Sequence, residues 1–200
     1  YASGKHGPGY ICMDPMFADP ALMREVGFRL GVLSGCRSFD VIVAPATGGI
    51  ALGPYTTTAF FAETGLQKPF VWADKTGDGG FAFERLGFSE HLVGKRVLIV
   101  EDLLTTGGSV IKVREAAEAC GGIVVGVSAV CNRGGVTKEM LGVPDLYAIA
   151  AVTFEAVAPD ACPYCEAGVP IVTDAALGHG AEYEAEHSDY HGGYTKLLAE

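Results

Sequence analysis

The chain has 200 residues, 49% of them hydrophobic, which suits one compact α/β domain with a sizeable core. Its formal charge of −10 offers no basic face for nucleic acid. The longest apolar runs, such as Ile123 to Val130, fall far short of the ~20 residues that span a bilayer. No basic-then-apolar leader is visible, and the chain starts at Tyr1 without a Met, which leaves room for a missing N-terminal piece. The six cysteines read as free thiols of a cytoplasmic protein, because a core of this size needs no disulfide framework.

Asp19-Pro20 predicts an N-cap with Pro at the first helical position, and Leu22, Val26, Leu30 and Leu33 mark one face of the helix that follows. Phe39 to Ala44 reads as a buried strand, Pro45 to Gly49 as a turn, and Ile50 to Glu63 as a helix despite Pro54. Pro69 to Ala73 is a second strand. The Gly-rich, charged stretch from Asp74 to about His91 has no period and reads as a long loop of the functional kind. Lys95 to Val100, Ile123 to Val130 and Leu146 to Val152 are further buried strands, with helices over Gly107 to Cys120 and Thr137 to Leu141. This alternation predicts an α/β fold, a mainly parallel twisted sheet with helices on both faces. Ligands of such sheets sit beyond the C-terminal strand ends, so Ala44 to Gly49, Glu101 to Gly108 and Cys131 to Gly135 share one rim. The composition after Thr153 turns to Pro, Cys and Gly. One domain over 1–200 is expected, with 1–20 and 154–200 as a hood or appendage.

The informative segment runs from Val97 through Glu101-Asp102-Leu103-Leu104-Thr105-Thr106-Gly107-Gly108-Ser109. A buried strand ends in two carboxylates, which can accept hydrogen bonds from the vicinal hydroxyls of a ribose. Thr105 to Ser109 then set successive backbone N–H groups at a helix N-terminus, where the dipole favours a phosphate. Gly107 and Gly108 allow a close backbone approach, and the Thr and Ser hydroxyls add donors. A purely structural strand–turn–helix corner is the competing reading. The length of the pattern weighs against it.

This motif resembles the signature of the type I phosphoribosyltransferases, and most of the chain is similar to the orotate phosphoribosyltransferases among them. The segment from Ser3-Gly4-Lys5 to Tyr10-Ile11 is similar to their base-pocket segment, Ala44 to Leu52 to their pyrophosphate loop, and Cys131-Asn132-Arg133-Gly134-Gly135 to their strand-end Asp-Arg site. The resemblance implies transfer of the phosphoribosyl group of phosphoribosyl diphosphate to orotate, in a homodimer, with Mg²⁺ carried by the diphosphate. It assigns Thr47, Gly48, Glu101, Asp102, Thr105, Thr106, Gly107, Gly108 and Ser109 to phosphoribosyl diphosphate. Lys5, Tyr10, Ile11 and Arg133 fall to the base, and Lys75 and Asp102 to catalysis. The alternatives are a relative using another base and, from another class, a non-catalytic sensor of phosphoribosyl diphosphate.

Several of the family's cations are missing. In the stretch that corresponds to its mobile lid, Trp72 to Gly80, Asp74 stands for an Arg and Thr76 for a His, leaving Lys75. Gly48 replaces a lysine of the pyrophosphate loop, and Ala2 stands where the family has another. Arg85 and His91 are possible substitutes, but each reads better as a solvated loop residue. Cys162-Pro163-Tyr164-Cys165 has knuckle spacing with no second pair; completing it with Cys12 and His6 is forced, so a structural turn is the better reading. His187 and His191 read as a solvated acidic tail.

Overall fold

The computed structural model describes residues 1, 4–34, 38–173 and 180–187. Ala2, Ser3, Cys36 and His191 lie outside the described residues. The chain divides into two compact units, Met13–Thr153 and a smaller one drawn from Tyr1–Cys12 and Phe154–Glu200.

The larger unit opens with α1 (Asp14–Phe17) and α2 (Pro20–Phe28), the latter running on into a π-helical turn, Arg29–Leu33. The Asp19 carboxylate caps α2 by accepting from the N–H groups of Ala21 and Leu22 at 2.9 and 3.1 Å. The buried face of α2 differs from the expected one. Met23, Val26 and Leu30 are inside, whereas Leu22 and Leu33 are 44% and 46% exposed. Leu22 falls at the margin of the apolar stripe, and the wide π turn rotates Leu33 out of phase.

Next come β1 (Val41–Pro45), α3 (Gly48–Thr64), β2 (Phe70–Lys75), β3 (Phe81–Ala82), β4 (Arg96–Leu104), α4 (Gly108–Ala119), β5 (Ile123–Asn132), α5 (Lys138–Leu141) and β6 (Leu146–Ala151). The six strands form one sheet in the order β3-β2-β1-β4-β5-β6. All neighbours pair in parallel except β3, which is antiparallel to β2. Successive residues point to opposite faces, so Val41, Val43, Val97 and Ile99 join the core under α4, while Ile42, Ala44, Leu98 and Val100 join the one under α2 and α3. Burial on both faces is why these strands read as unbroken apolar runs.

Two expectations change. The sequence places Glu101 and Asp102 just past a strand end, yet β4 continues through Leu104, paired with β5 at Glu101↔Ala129, Leu103↔Cys131 and Leu104↔Asn132. No turn residue precedes Thr105, so the ladder has no reason to stop. The stretch expected to be a long loop from Asp74 also starts as sheet. It turns through 76–80 and returns as β3, with Asp74 opposite Ala82 and Lys75 opposite Phe81.

In the smaller unit a reciprocal pair of 2.9 Å hydrogen bonds joins His6 to Val157. A 3₁₀ turn (Pro159–Ala161), α6 (Pro163–Glu166) and α7 (Gly180–Glu186) follow. Among the described residues, no helix is long and apolar enough to cross a membrane.

Candidate functional site

The strand order reverses at β1 and β4: the chain leaves β1 for β2 on one side and resumes with β4 on the other. Crevices open at such switch points, beyond the C-terminal strand ends. A cavity of about 120 Å³ lies here, lined by Glu101, Leu103, Leu104 and the loop Thr105 to Val110. The first N–H groups of the twelve-residue α4 have no intrahelical acceptor and suit an anion. Thr105, Thr106 and Ser109 are exposed. The Thr106 hydroxyl reaches the Gly108 N–H only at 3.4 Å.

The two loop glycines divide their work differently from the expectation. Gly107 is buried at φ 78°, and a Cβ there would lie 2.5 Å from the Leu141 side chain, so its lack of a side chain serves packing against α5. Gly108 has more room and fits the close approach of a phosphate.

Glu101 is 6% exposed. Burial first, then the neighbouring Asp102 carboxylate, push its carboxyl well above the ordinary range; the Asp102 N–H and the Lys75 ammonium pull the other way. Its Oε1 accepts from Asp102 N–H at 3.0 Å, and Asp102 Oδ1 accepts from Leu103 N–H at 2.7 Å. Asp102 Oδ2 lies over Gly48, where an added Cβ would come within 2.2 Å of it. Gly48 and Asp102 therefore meet across the switch point, with exposed Thr47 beside them.

Arg133 stands on the same rim. Its N–H and that of Gly134 both donate to the Leu104 carbonyl, at 2.8 and 3.0 Å. A Cβ on Gly134 would overlap the Thr105 carbonyl oxygen at 1.5 Å, so the loop after β5 is fitted against the loop after β4. Asn132 holds that loop in shape: its Nδ2 donates to the Val136 carbonyl at 2.7 Å while its Oδ1 accepts from the Val136 N–H at 3.0 Å. The sequence reading missed this role, although an amide at a strand end followed by Gly134-Gly135 signals such a turn.

Lys75 is exposed at the end of β2, on a hairpin rather than a loop tip, and its charge is felt at Glu101. Arg85 is not merely solvated: its guanidinium pairs with Asp74 at 2.9 Å and sits 4.7 Å from the Trp72 ring centroid. Asp74 is thereby charge-compensated. The hairpin turn is tied down by Lys112 of α4, whose Nζ donates to the Gly79 carbonyl at 2.6 Å. His91 is exposed at the end of a 3₁₀ turn, Ser89–His91. Lys5, Tyr10 and Ile11 belong to the smaller unit, the first two exposed and Ile11 half-buried.

Residues 20–145 match the phosphoribosyl transferase domain. The chain belongs to that family. It is 37% identical to the orotate phosphoribosyltransferase of Thermus thermophilus over 169 residues, covering 84% of this chain and 87% of the relative. Orotate phosphoribosyltransferase of Sulfurimonas denitrificans is 31% identical over 191 residues, 89% of this chain and 90% of the relative. Among solved structures, Mycobacterium tuberculosis orotate phosphoribosyltransferase in complex with inorganic phosphate superposes with a TM-score of 0.56 at 21% identity, over 71% of this chain and 77% of that one. Adenine phosphoribosyltransferase of Thermoanaerobacter pseudethanolicus gives the same TM-score and identity over 75% and 96%. These two share the phosphoribosyltransferase fold with this chain, which agrees with the sheet and helix layers expected from the sequence.

Proposed function

We propose that this phosphoribosyltransferase joins the phosphoribosyl group of phosphoribosyl diphosphate to orotate, giving orotidine 5′-phosphate and pyrophosphate. The observation that carries the reading is one cavity lined by both the acidic Glu101 and the Thr105-to-Ser109 helix start. The relatives of matching length named orotate phosphoribosyltransferase support the choice of base.

In this reading the N–H groups of the Thr105-to-Ser109 loop hold the 5′-phosphate, and the carboxylates of Glu101 and Asp102 accept from the ribose hydroxyls. The bond from ribose C1′ to the diphosphate oxygen breaks while a ring nitrogen of orotate bonds to C1′, and the proton of that nitrogen passes to the departing diphosphate or to water. Thr47 and the backbone at Gly48 receive the diphosphate, and Lys75 offsets the charge that builds on it as it leaves. Arg133 presents a planar donor fork to the orotate edge, with Lys5, Tyr10 and Ile11 as base contacts on the resemblance alone. The carboxylate oxygens of Glu101 and Asp102 are hard donors that suit Mg²⁺, which takes few protein ligands when a diphosphate supplies the rest. When bound, Mg²⁺ would neutralise diphosphate charge.

Pyrophosphate release from phosphoribosyl diphosphate, measured with orotate and with a panel of other bases, tests the assignment. Turnover confined to orotate is expected. Turnover with a different base, or binding without turnover, overturns it. Thr106→Asp places negative charge in the anion loop and should abolish binding of phosphoribosyl diphosphate in a calorimetric titration; unchanged affinity would remove the loop from the site.

A further inference from the structure

The smaller unit holds a cluster that the transferase reading leaves unused. The paired backbone of His6 and Val157 brings the first residues of the chain to the Cys162–Cys165 turn. His6 Nδ1 lies 3.1 Å from Cys165 Sγ, although the two residues are 159 positions apart. With Cys162 Sγ, the three potential ligand atoms all lie within 4.8 Å of one another. A tetrahedral zinc ion with ordinary Zn–S and Zn–N bonds spaces its ligand atoms roughly 3.5–3.8 Å apart, so small side-chain adjustments suffice.

Two further observations bear on the cluster. Both cysteines are free thiols. Cys162 is buried at 5% exposure while Cys165 is exposed, so the cluster has an inner wall and an entry side. One imidazole and two thiolates form a borderline-soft donor set, which selects zinc over magnesium or calcium. Cys12 is not among the converging residues.

We propose that His6, Cys162 and Cys165 bind a zinc ion, with water as the fourth ligand, and that the ion clasps the N-terminal segment to the C-terminal one. Binding energy of such an ion is also folding energy, since the ligands come together only in the folded unit.

The test uses the full chain, purified with its thiols reduced. One zinc per chain is expected by elemental analysis. Cobalt(II) in its place should give a thiolate-to-metal absorption with the intensity of two sulfurs, displaced by added zinc. Cys165→Ser should halve that absorption, and Cys162→Ser with Cys165→Ser should remove it. His6→Ala should weaken zinc binding by more than the roughly 10–100-fold that loss of an outer-sphere partner costs. No zinc uptake by the reduced chain, a cobalt spectrum without the sulfur band, or a Cys162–Cys165 disulfide found by thiol counting would each overturn the proposal. Should a variant fail to fold, the cobalt titration of the unaltered chain still decides.

Discussion

Two residues at the switch point have properties that can be measured singly. The first is Gly48, where the family carries a lysine. Because Asp102 Oδ2 occupies the space a side chain would need, Gly48→Lys should not act as a repair. On the proposed function it should displace Asp102 and forfeit a charge-assisted contact to the ribose, about 1.5–3 kcal/mol of affinity for phosphoribosyl diphosphate in a calorimetric titration. Tighter binding by the variant would contradict this. The second is Glu101. Its folded carboxyl keeps a proton to higher pH than the same group in the unfolded chain, because it is buried beside Asp102. Between the two pKa values the folded chain binds a proton that the unfolded chain has released, so stability falls as pH rises through that window. Glu101→Gln removes this ionisation. Thermal unfolding followed from the ordinary carboxylate range upward should give a Tm that declines in the wild type and declines less in the variant. Parallel curves would argue against a raised Glu101.

At the scale of elements, the β2–β3 hairpin carries most of what distinguishes this chain from the family pattern. Asp74 is paired with Arg85, Gly79 is held by Lys112, and Lys75 stands at the end of a paired strand. A lysine positioned by a sheet register is better placed to meet the leaving diphosphate than one on an unstructured tip. Lys75→Ala should lower kcat by roughly 10²–10³ while leaving binding of phosphoribosyl diphosphate nearly unchanged. Equal turnover would remove Lys75 from catalysis. The hairpin is hard to read from sequence because β3 has only two residues and part of its anchoring comes from Lys112, more than thirty positions away. Its one local signal is the turn-forming Thr76-Gly77-Asp78-Gly79-Gly80 followed by alternating Phe81 and Phe83, the second of which is buried. The strand and helix start around Glu101 to Ser109, by contrast, are legible, since an apolar strand, an acidic pair and a Thr-Gly-Gly-Ser helix start all lie in one continuous segment. What fails there is the strand boundary: polarity at Glu101 looks like an exit, but pairing with β5 continues past it. The approach of His6 to Cys165 has no local signal at all.

For the whole molecule, an excess of negative charge bears on assembly. A homodimer is expected, and two copies that each carry −10 repel one another. Light scattering should give twice the 20.8 kDa chain mass, with the dimer favoured as added salt screens the repulsion. A monomer at every salt concentration would refute this. The strand that leads to Gly48 and the strand that carries Asp102 have a further consequence. β1 and β4 lie in the middle of the sheet, and Val41 to Ala44 and Val97 to Val100 are all fully buried. Amide protons in such strands exchange only when the entire cooperative unit opens, whereas edges and hairpins open locally. The acidic half of the site therefore has no private unfolding of its own. Sub-global opening can release the β2–β3 hairpin with Lys75 and leave Glu101 and Asp102 in place, so on the proposed function the contacts to the diphosphate and to the ribose are lost at different temperatures.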